Sequence, residues 1–180
     1  MSNKLKIAIS GKSGCGNTSV SKIVADTLGL HLINFTFRDM AREWGIDFKE
    51  LCELAETDSQ YDRYLDNMLI MLASKGNCVL GSRLAIWHLK DADIKVYLYS
   101  SIEVRAQRIA QREKIPYETA LEQTRERDKR DRARYLRQYN IDINIYDFAD
   151  LIVDTEKGDQ HYVAGVIIEE SQKMMKKKKE

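Results

Sequence analysis

Eight residues near the start of the chain, Gly11-Lys12-Ser13-Gly14-Cys15-Gly16-Asn17-Thr18, restrict its fold more than any other stretch. An apolar run from Leu5 to Ser10 precedes them, and a helical pattern from Asn17 to Leu28 follows. Strand, glycine-rich turn and helix start together form the setting of a phosphate-binding loop. The glycines let the backbone curl so that several N–H groups point inward. The helix N-terminus adds unpaired donors and the positive end of a dipole. One position departs from the pattern G-x-x-x-x-G-K-[ST]: Asn17 stands where the lysine belongs, and the loop's own lysine is Lys12.

Composition excludes several classes. With 180 residues the chain can bury one sizeable core. Net charge is +1, so any anion-binding argument must rest on local clusters. Cys15, Cys52 and Cys78 are odd in number and not in C-x-x-C spacing, which disfavours a disulfide framework or a zinc site and fits a reducing, cytoplasmic setting. His31, His88 and His161 are dispersed, with no metal-ligand spacing. No apolar run approaches the roughly 18 residues of a membrane span. Leu5 to Ile9 is too short for a signal-peptide core. The basic run Lys176 to Lys179 reads as a solvated helix end.

The patterns alternate strand and helix. Leu5–Ile9, Leu30–Phe35, Asn77–Leu80, Ile94–Tyr99 and Leu151–Asp154 read as strands. The stripe Val20, Ile23, Val24, Thr27, Leu28 reads as a helix closed by Gly29. Short helices are expected over Arg38–Trp44 and Phe48–Glu56, the second opened by the capping-box-like Asp47-x-x-Glu50. A longer one follows Asp58 or Ser59 and ends at Gly76. Ile102–Glu113 and Pro116 to about Gln138 read as helices, and a last one follows the loop Thr155 to Asp159. The expectation is one α/β domain on a five-stranded parallel sheet with two helical insertions, its ligands beyond the carboxyl ends of the strands. Arg38, Arg83 and the Thr155 loop fall at that end. Trp44 and Trp87 are expected to pack in the insertion and the core, and Cys15 to be a small loop filler.

Arg125 to Arg134 is the most distinctive basic stretch. On its own it could be a solvated helix laced by ion pairs such as Asp128–Arg132. Beside a phosphate loop it has another use. Moving a phosphoryl group between two nucleotides gathers many anionic oxygens in one cleft, where arginine forks position and neutralise them. Glu126-Arg127-Asp128-Lys129-Arg130-Asp131-Arg132-Ala133-Arg134 resembles the E-R-D-x-R-D-R-x-R lid signature of cytidylate kinases. Phe37-Arg38-Asp39-Met40-Ala41-Arg42-Glu43-Trp44-Gly45 is similar to the start of their monophosphate-binding cap, and Val79 to Trp87 to their acid-Gly-Arg segment. The chain thus resembles the short form of the cytidylate kinases from Ile7 to about Ile168.

The resemblance implies a P-loop NTPase fold, three-layered α/β/α, with a helical monophosphate-binding cap at about 37–75 and an arginine-rich helical lid at about 115–140. It implies transfer of the γ-phosphoryl group of ATP to CMP or dCMP, with Mg²⁺, and no nucleic-acid or membrane partner. A monomer is the expected form. Gly11, Lys12, Ser13, Gly14, Cys15, Gly16, Asn17, Thr18 and Ser19 would hold the donor phosphates. Arg108 would stack on adenine, Arg112 would reach the phosphates, and the Thr18 hydroxyl would hold Mg²⁺. Arg38 and Arg83 would hold the acceptor phosphate, and Asp131 the ribose hydroxyls. Arg127, Arg130, Arg132 and Arg134 would neutralise the transferring group. Asp62, Arg63 and Asp66 are candidates for the base edge, with no choice among them.

Two departures bear on activity. Lys12, placed like the signature lysine of deviant-loop ATPases, could fold across the phosphates in place of a lysine at position 17. Gly81 stands where the family usually carries Asp or Glu. The alternatives are a kinase of another small acceptor, such as AMP or UMP, and a nucleotide-binding protein weakened by the lost lysine.

Overall fold

The computed structural model describes residues 5–177. Lys178 and Lys179 of the basic run therefore lie outside the described residues. Strands β1 (Lys6–Gly11), β2 (His31–Ile33), β3 (Cys78–Gly81), β4 (Ile94–Tyr99) and β5 (Leu151–Asp154) form one sheet in the order β2-β3-β1-β4-β5. Every neighbouring pair is parallel, as expected. Ile7 sits opposite both Val79 and Ile94, so β1 lies at the centre. A central parallel strand is covered on both faces, which is why its sequence is continuously apolar rather than alternating.

The strand period still sorts the two faces. Ile7, Ile9, Val96 and Leu98 pack with Val20 and Val24 of α1 (Asn17–Leu28) and Val163 and Ile167 of α8 (Gln160–Lys177). Ala8, Leu80 and Tyr97 face the other way, onto Met40, Leu51, Leu65, Leu69 and Ile86. Those residues come from α2 (Phe37–Trp44), α3 (Phe48–Thr57), α4 (Gln60–Ala73) and α5 (Ala85–His88). The one-turn α5 is not foreseen in the pattern. On the other side of β4, α6 (Ile102–Glu113) packs on α7 (Tyr117–Tyr139) through Ala106, Ile109, Ala110 and Ala120. The result is the expected three-layer arrangement.

Local chemistry explains the helix starts. The Thr36 hydroxyl accepts from the Asp39 N–H while Asp39 Oδ2 accepts from the Thr36 N–H, a reciprocal capping box at α2. At α3, Asp47 Oδ1 accepts from the Lys49 and Glu50 N–H groups. Of the two candidates before α4, Asp58 makes the bond, accepting from the Gln60 N–H, and Ser59 makes none. Helix α1 differs from these. Its N-cap is Gly16, no side chain caps it, and its first turn carries no acid. Its free donors face the end of the sheet, where an anion can take them.

A candidate active site at the carboxyl ends of the strands

The loop between β1 and α1 forms the floor. Gly14 and Gly16 have φ of 86° and 90°, the left-handed region that glycine enters without strain. A Cβ on Gly14 would also stand 2.9 Å from the Arg105 carbonyl oxygen. Cys15 closes the turn with its N–H on the Lys12 carbonyl, 3.1 Å away. It is buried, and burial pushes its thiol pKa upward, so it is filler rather than a reactive thiolate, as expected.

Asn17 turns away from the loop mouth. Its amide donates to the Ile9 carbonyl at 2.9 Å and to the Ser82 carbonyl at 3.4 Å, and its Oδ1 accepts from the Ser21 hydroxyl at 2.8 Å. It therefore ties the ends of β1 and β3 together. The second departure adjoins it. A Cβ on Gly81 would meet Ser21 Oγ at 2.5 Å and Asn17 Oδ1 at 3.0 Å. The two departures, Asn17 and Gly81, thus meet in one contact around Ser21. Gly81→Ala should lower stability by about 1–3 kcal/mol through overpacking. Ser21→Ala in the same chain should recover part of that loss. Urea unfolding midpoints check this, and an unmoved midpoint for Gly81→Ala would contradict the contact.

Lys12 lies on the loop but does not cross it. Its Nζ donates to Asn144 Oδ1 at 2.7 Å and stands 3.8 Å from Asp128 Oδ2. Burial is the leading influence on its ammonium and pulls the pKa down, against the raising effect of Asp128. Asp128 is held more firmly by Arg105, whose two terminal nitrogens donate to its two oxygens at 3.1 and 2.6 Å. Arg105 is 3% exposed and also donates to the carbonyls of Ser13 and Ser100. It fastens lid, loop and β4 to one another.

The lid stripe follows from helical spacing. Positions 127, 130, 131, 134 and 138 repeat at i, i+3, i+4, i+7 and i+11 and share one face of α7. Arg127 donates to the Ser13 hydroxyl at 3.3 Å. Burial, with Arg83 and Arg130 adding repulsion, pulls its pKa down to about 10, so it remains a cation at neutral pH. Arg130 reaches Glu56 on the cap at 3.1 Å. Arg83 pairs with Asp131. Arg134 lies 3.5 Å from both Asp131 and Asp62. Helix α7, the end of β3 and helices α3 and α4 are therefore drawn together by these pairs.

Other expected residues are not brought into this cleft. Arg132 sits a quarter turn round α7 and makes a two-pronged pair with Asp142 at 2.9 and 2.6 Å. The pair Asp128–Arg132 is not formed, since each residue has a better partner. Arg112 is exposed and pairs with Glu113 at 2.9 Å. Arg63 is exposed on α4, next to but not on the face that carries Asp62 and Asp66. Arg38 is exposed at the start of α2, its guanidinium 4.1 Å from the Phe48 ring centroid. Arg108 donates to Thr155 Oγ1 at 2.9 Å, to the Thr155 carbonyl at 2.8 Å and to the Gly14 carbonyl at 3.4 Å, bridging the loop and the end of β5. Trp87 packs edge-on against Tyr97, but Trp44 is 41% exposed, resting on Tyr61 and Tyr64 at the edge of the cap. Among the described residues, no helix is long and apolar enough to cross a membrane, and the three cysteines are free.

Residues to which the sequence assigned no part in the cleft complete the site. Arg105 holds Asp128 of α7, and Asn144 holds Lys12. Gln138, His88 and Tyr139 stand beside Asp62 and Asp66. Gln138 continues the lid stripe by one more turn, a signal that spacing alone could have given.

The sequence profile of the cytidylate kinase-like family matches residues 6–157. The chain is 49% identical over 173 residues to "Cytidylate kinase 2" of Borreliella afzelii, covering 94% of this chain and 97% of that one. It is 40% identical over 167 residues to a cytidylate kinase of Pyrococcus horikoshii, covering 92% and 87%. Among solved structures, shikimate kinase from Acinetobacter baumannii superposes with a TM-score of 0.60 at 20% identity, covering 92% of each chain. An uncharacterized protein from Eubacterium ventriosum does so with a TM-score of 0.68 at 20% identity, covering 93% and 98%. These two show the shared fold.

Proposed function

The chain belongs to the cytidylate kinase-like family, and from that premise we propose how its residues divide the work. The enzyme is an ATP-dependent nucleoside monophosphate kinase that phosphorylates CMP, giving ADP and CDP. We extend the acceptor to dCMP and assign the reaction to a single chain, in the cytoplasm where its nucleotides are. The observation that carries the residue assignment is the lid stripe. Arg127, Asp131 and Arg134 face the glycine loop, Arg83 and the cap from one side of α7.

The loop amides and the uncapped start of α1 hold the donor phosphates. Arg108, between Gly14 and Thr155, flanks the donor base. Arg83 takes the acceptor phosphate, joined by Arg38 once closure brings α2 in from its resting place over Phe48, and Asp131 then exchanges Arg83 for the ribose hydroxyls. An acceptor phosphate oxygen attacks the γ-phosphorus in line. A new P–O bond forms as the bond to the ADP oxygen breaks, and that oxygen leaves with the electron pair. The ionised acceptor phosphate needs no general base. Arg127 and Arg134 neutralise the charge that develops on the transferring group. Lys12 joins them by exchanging Asn144 and Asp128 for a phosphate oxygen. Lid and cap, already bridged by Arg130 and Glu56, keep water from the phosphoryl group.

The Thr18 hydroxyl, at the second residue of α1, would hold Mg²⁺ beside the donor phosphates. Gly81 offers no carboxylate to assist it. When bound, the ion supplies Lewis-acid neutralisation of the donor phosphates.

An acceptor panel tests the reading. ADP release measured with CMP, dCMP, UMP and AMP should be fastest with the two cytidine nucleotides. A preference for another acceptor, or ATP binding with no ADP release, would overturn it.

A further inference from the structure

Helix α4 presents Asp62 and Asp66, one turn apart, towards α7, and α7 returns Arg134 and Gln138, also one turn apart. Gln138 Nε2 donates to Asp62 Oδ2 at 3.0 Å. An ionised carboxylate can only accept, so this bond fixes which way the amide faces: its carbonyl oxygen points elsewhere. That oxygen is buried and has no donor. The contacts of Asp62 with Gln138 and Arg134 both fall on Oδ2, which leaves Oδ1 to other donors. Asp62 itself is 3% exposed. Two further polar atoms of the same cluster, Arg134 Nε and His88 Nε2, are also buried without a hydrogen-bond partner. Behind them Asp66 Oδ2 accepts from the Tyr139 hydroxyl at 2.7 Å and stands 3.5 Å from His88.

Native proteins leave few buried polar atoms unpaired, because each keeps a desolvation penalty with nothing to offset it. Such atoms gathered in one cluster point to a ligand that supplies the missing partners. The position of the cluster says which part of the ligand. Arg83 meets Asp131, Asp131 adjoins Arg134, and Arg134 adjoins Asp62. On the functional reading above, this is the order phosphate, ribose, base.

We propose that Asp62 and Gln138 read the acceptor base, accepting between them the two hydrogens of cytosine's 4-amino group, and so set the preference for cytosine over uracil. This rests on the assignment of the chain as a CMP kinase. The 4-amino group offers two donors in one plane, which suits adjacent carboxylate and amide oxygens. Uracil carries an oxygen at that position. It would bring a third acceptor against two buried ones and leave all of them unpaired, the case in which a polar pocket rejects an analogue most strongly. His88 Nε2 remains as a donor for the 2-oxygen. Burial also pushes the Asp62 carboxyl pKa upward, ahead of the lowering effects of Arg134 and Gln138. Its solvation is poor, and a donor from the base is worth correspondingly more.

The test compares kcat/KM for CMP and UMP in the wild type, in Asp62→Asn and in Gln138→Leu. Thermal unfolding and the KM for ATP serve as checks that fold and donor site are intact. The CMP:UMP ratio should fall by about tenfold or more in each variant. In Asp62→Asn, UMP should also gain in absolute terms, because the new amide can donate to its 4-oxygen. If both variants fold, bind ATP normally and keep the wild-type ratio, losing CMP and UMP activity alike, the inference is overturned. A wild type that prefers a non-cytidine acceptor fails at the first measurement, which separates a wrong functional reading from a wrong base reader.

Discussion

Lys12→Ala should lower kcat by about 100-fold or more, as removal of one charge from a phosphoryl-transfer centre generally does. Asn17→Ala should leave kcat within a few-fold of wild type and instead cost about 1–2 kcal/mol of stability, since its amide and carbonyl are structural bonds. The contrast follows from where the two side chains go. Asn17 is committed to Ile9, Ser82 and Ser21, beneath the loop. Lys12 is held by the side chains of Asn144 and Asp128, which a phosphate oxygen can replace. Burial already disfavours its charge, so an incoming anion has the more to offer it. Asn144→Ala is the control. It removes the tether and keeps the ammonium, so it should retain most of the activity. Equal losses of turnover in Lys12→Ala and Asn17→Ala would sink the assignment. Equal losses in Lys12→Ala and Asn144→Ala would make Lys12 a tether rather than a catalytic residue.

What the sequence disclosed, and what it withheld, divides along physical lines. The glycine loop was legible because positive φ leaves few residue choices, whereas the arginine stretch was legible only through its resemblance to a family motif, since charge at that spacing also suits a solvated helix. The helix order and parallel sheet followed from local periodicity. Asn17 was misleading on its own. It read as a lost cation, whereas the structure makes it half of a contact whose other half is Gly81, 64 positions away in the sheet neighbour of β1. The same distance in sequence hid Arg105. It is one of three arginines on α6, and only the fold turns it inward to Ser13 and Asp128 while Arg112 remains outside. Gln138 was hidden for a further reason. A neutral amide carries no charge pattern, and its meaning appears only when Asp62, 76 residues earlier, fixes its orientation. Arg132 erred the other way. Membership of the motif suggested a role in the cleft, but its position on the helix turns it to Asp142.

Arg105→Ala should be the most destabilising single change considered, at about 3 kcal/mol, because it strips a half-buried carboxylate of its main partner and removes a buried guanidinium's bonds to Ser13 and Ser100. The side chain of Arg105 is 4% exposed and that of Asp128 is 17% exposed, so water can do little to compensate. Lys12, still 3.8 Å from Asp128, limits the loss. Lost activity in this variant would be ambiguous, since an unfolded enzyme is also inactive. Replacing both partners separates the two causes. Arg105→Met with Asp128→Leu exchanges the ion pair for packing of similar volume, which is generally neutral or stabilising. Denaturant unfolding should therefore show most of the stability restored. Turnover should not return with it. Asp128 and Arg127 are successive residues of α7, and the hold on Asp128 fixes the angle at which Arg127 meets Ser13. A misplaced cation costs rate even in a sound fold, by about 100-fold for a shift of about 1 Å. Restored stability with depressed kcat and a nearly unchanged KM for ATP is the expected outcome. Full recovery of both stability and turnover in the double variant would reduce Arg105 and Asp128 to a structural pair, with no part in aiming the lid.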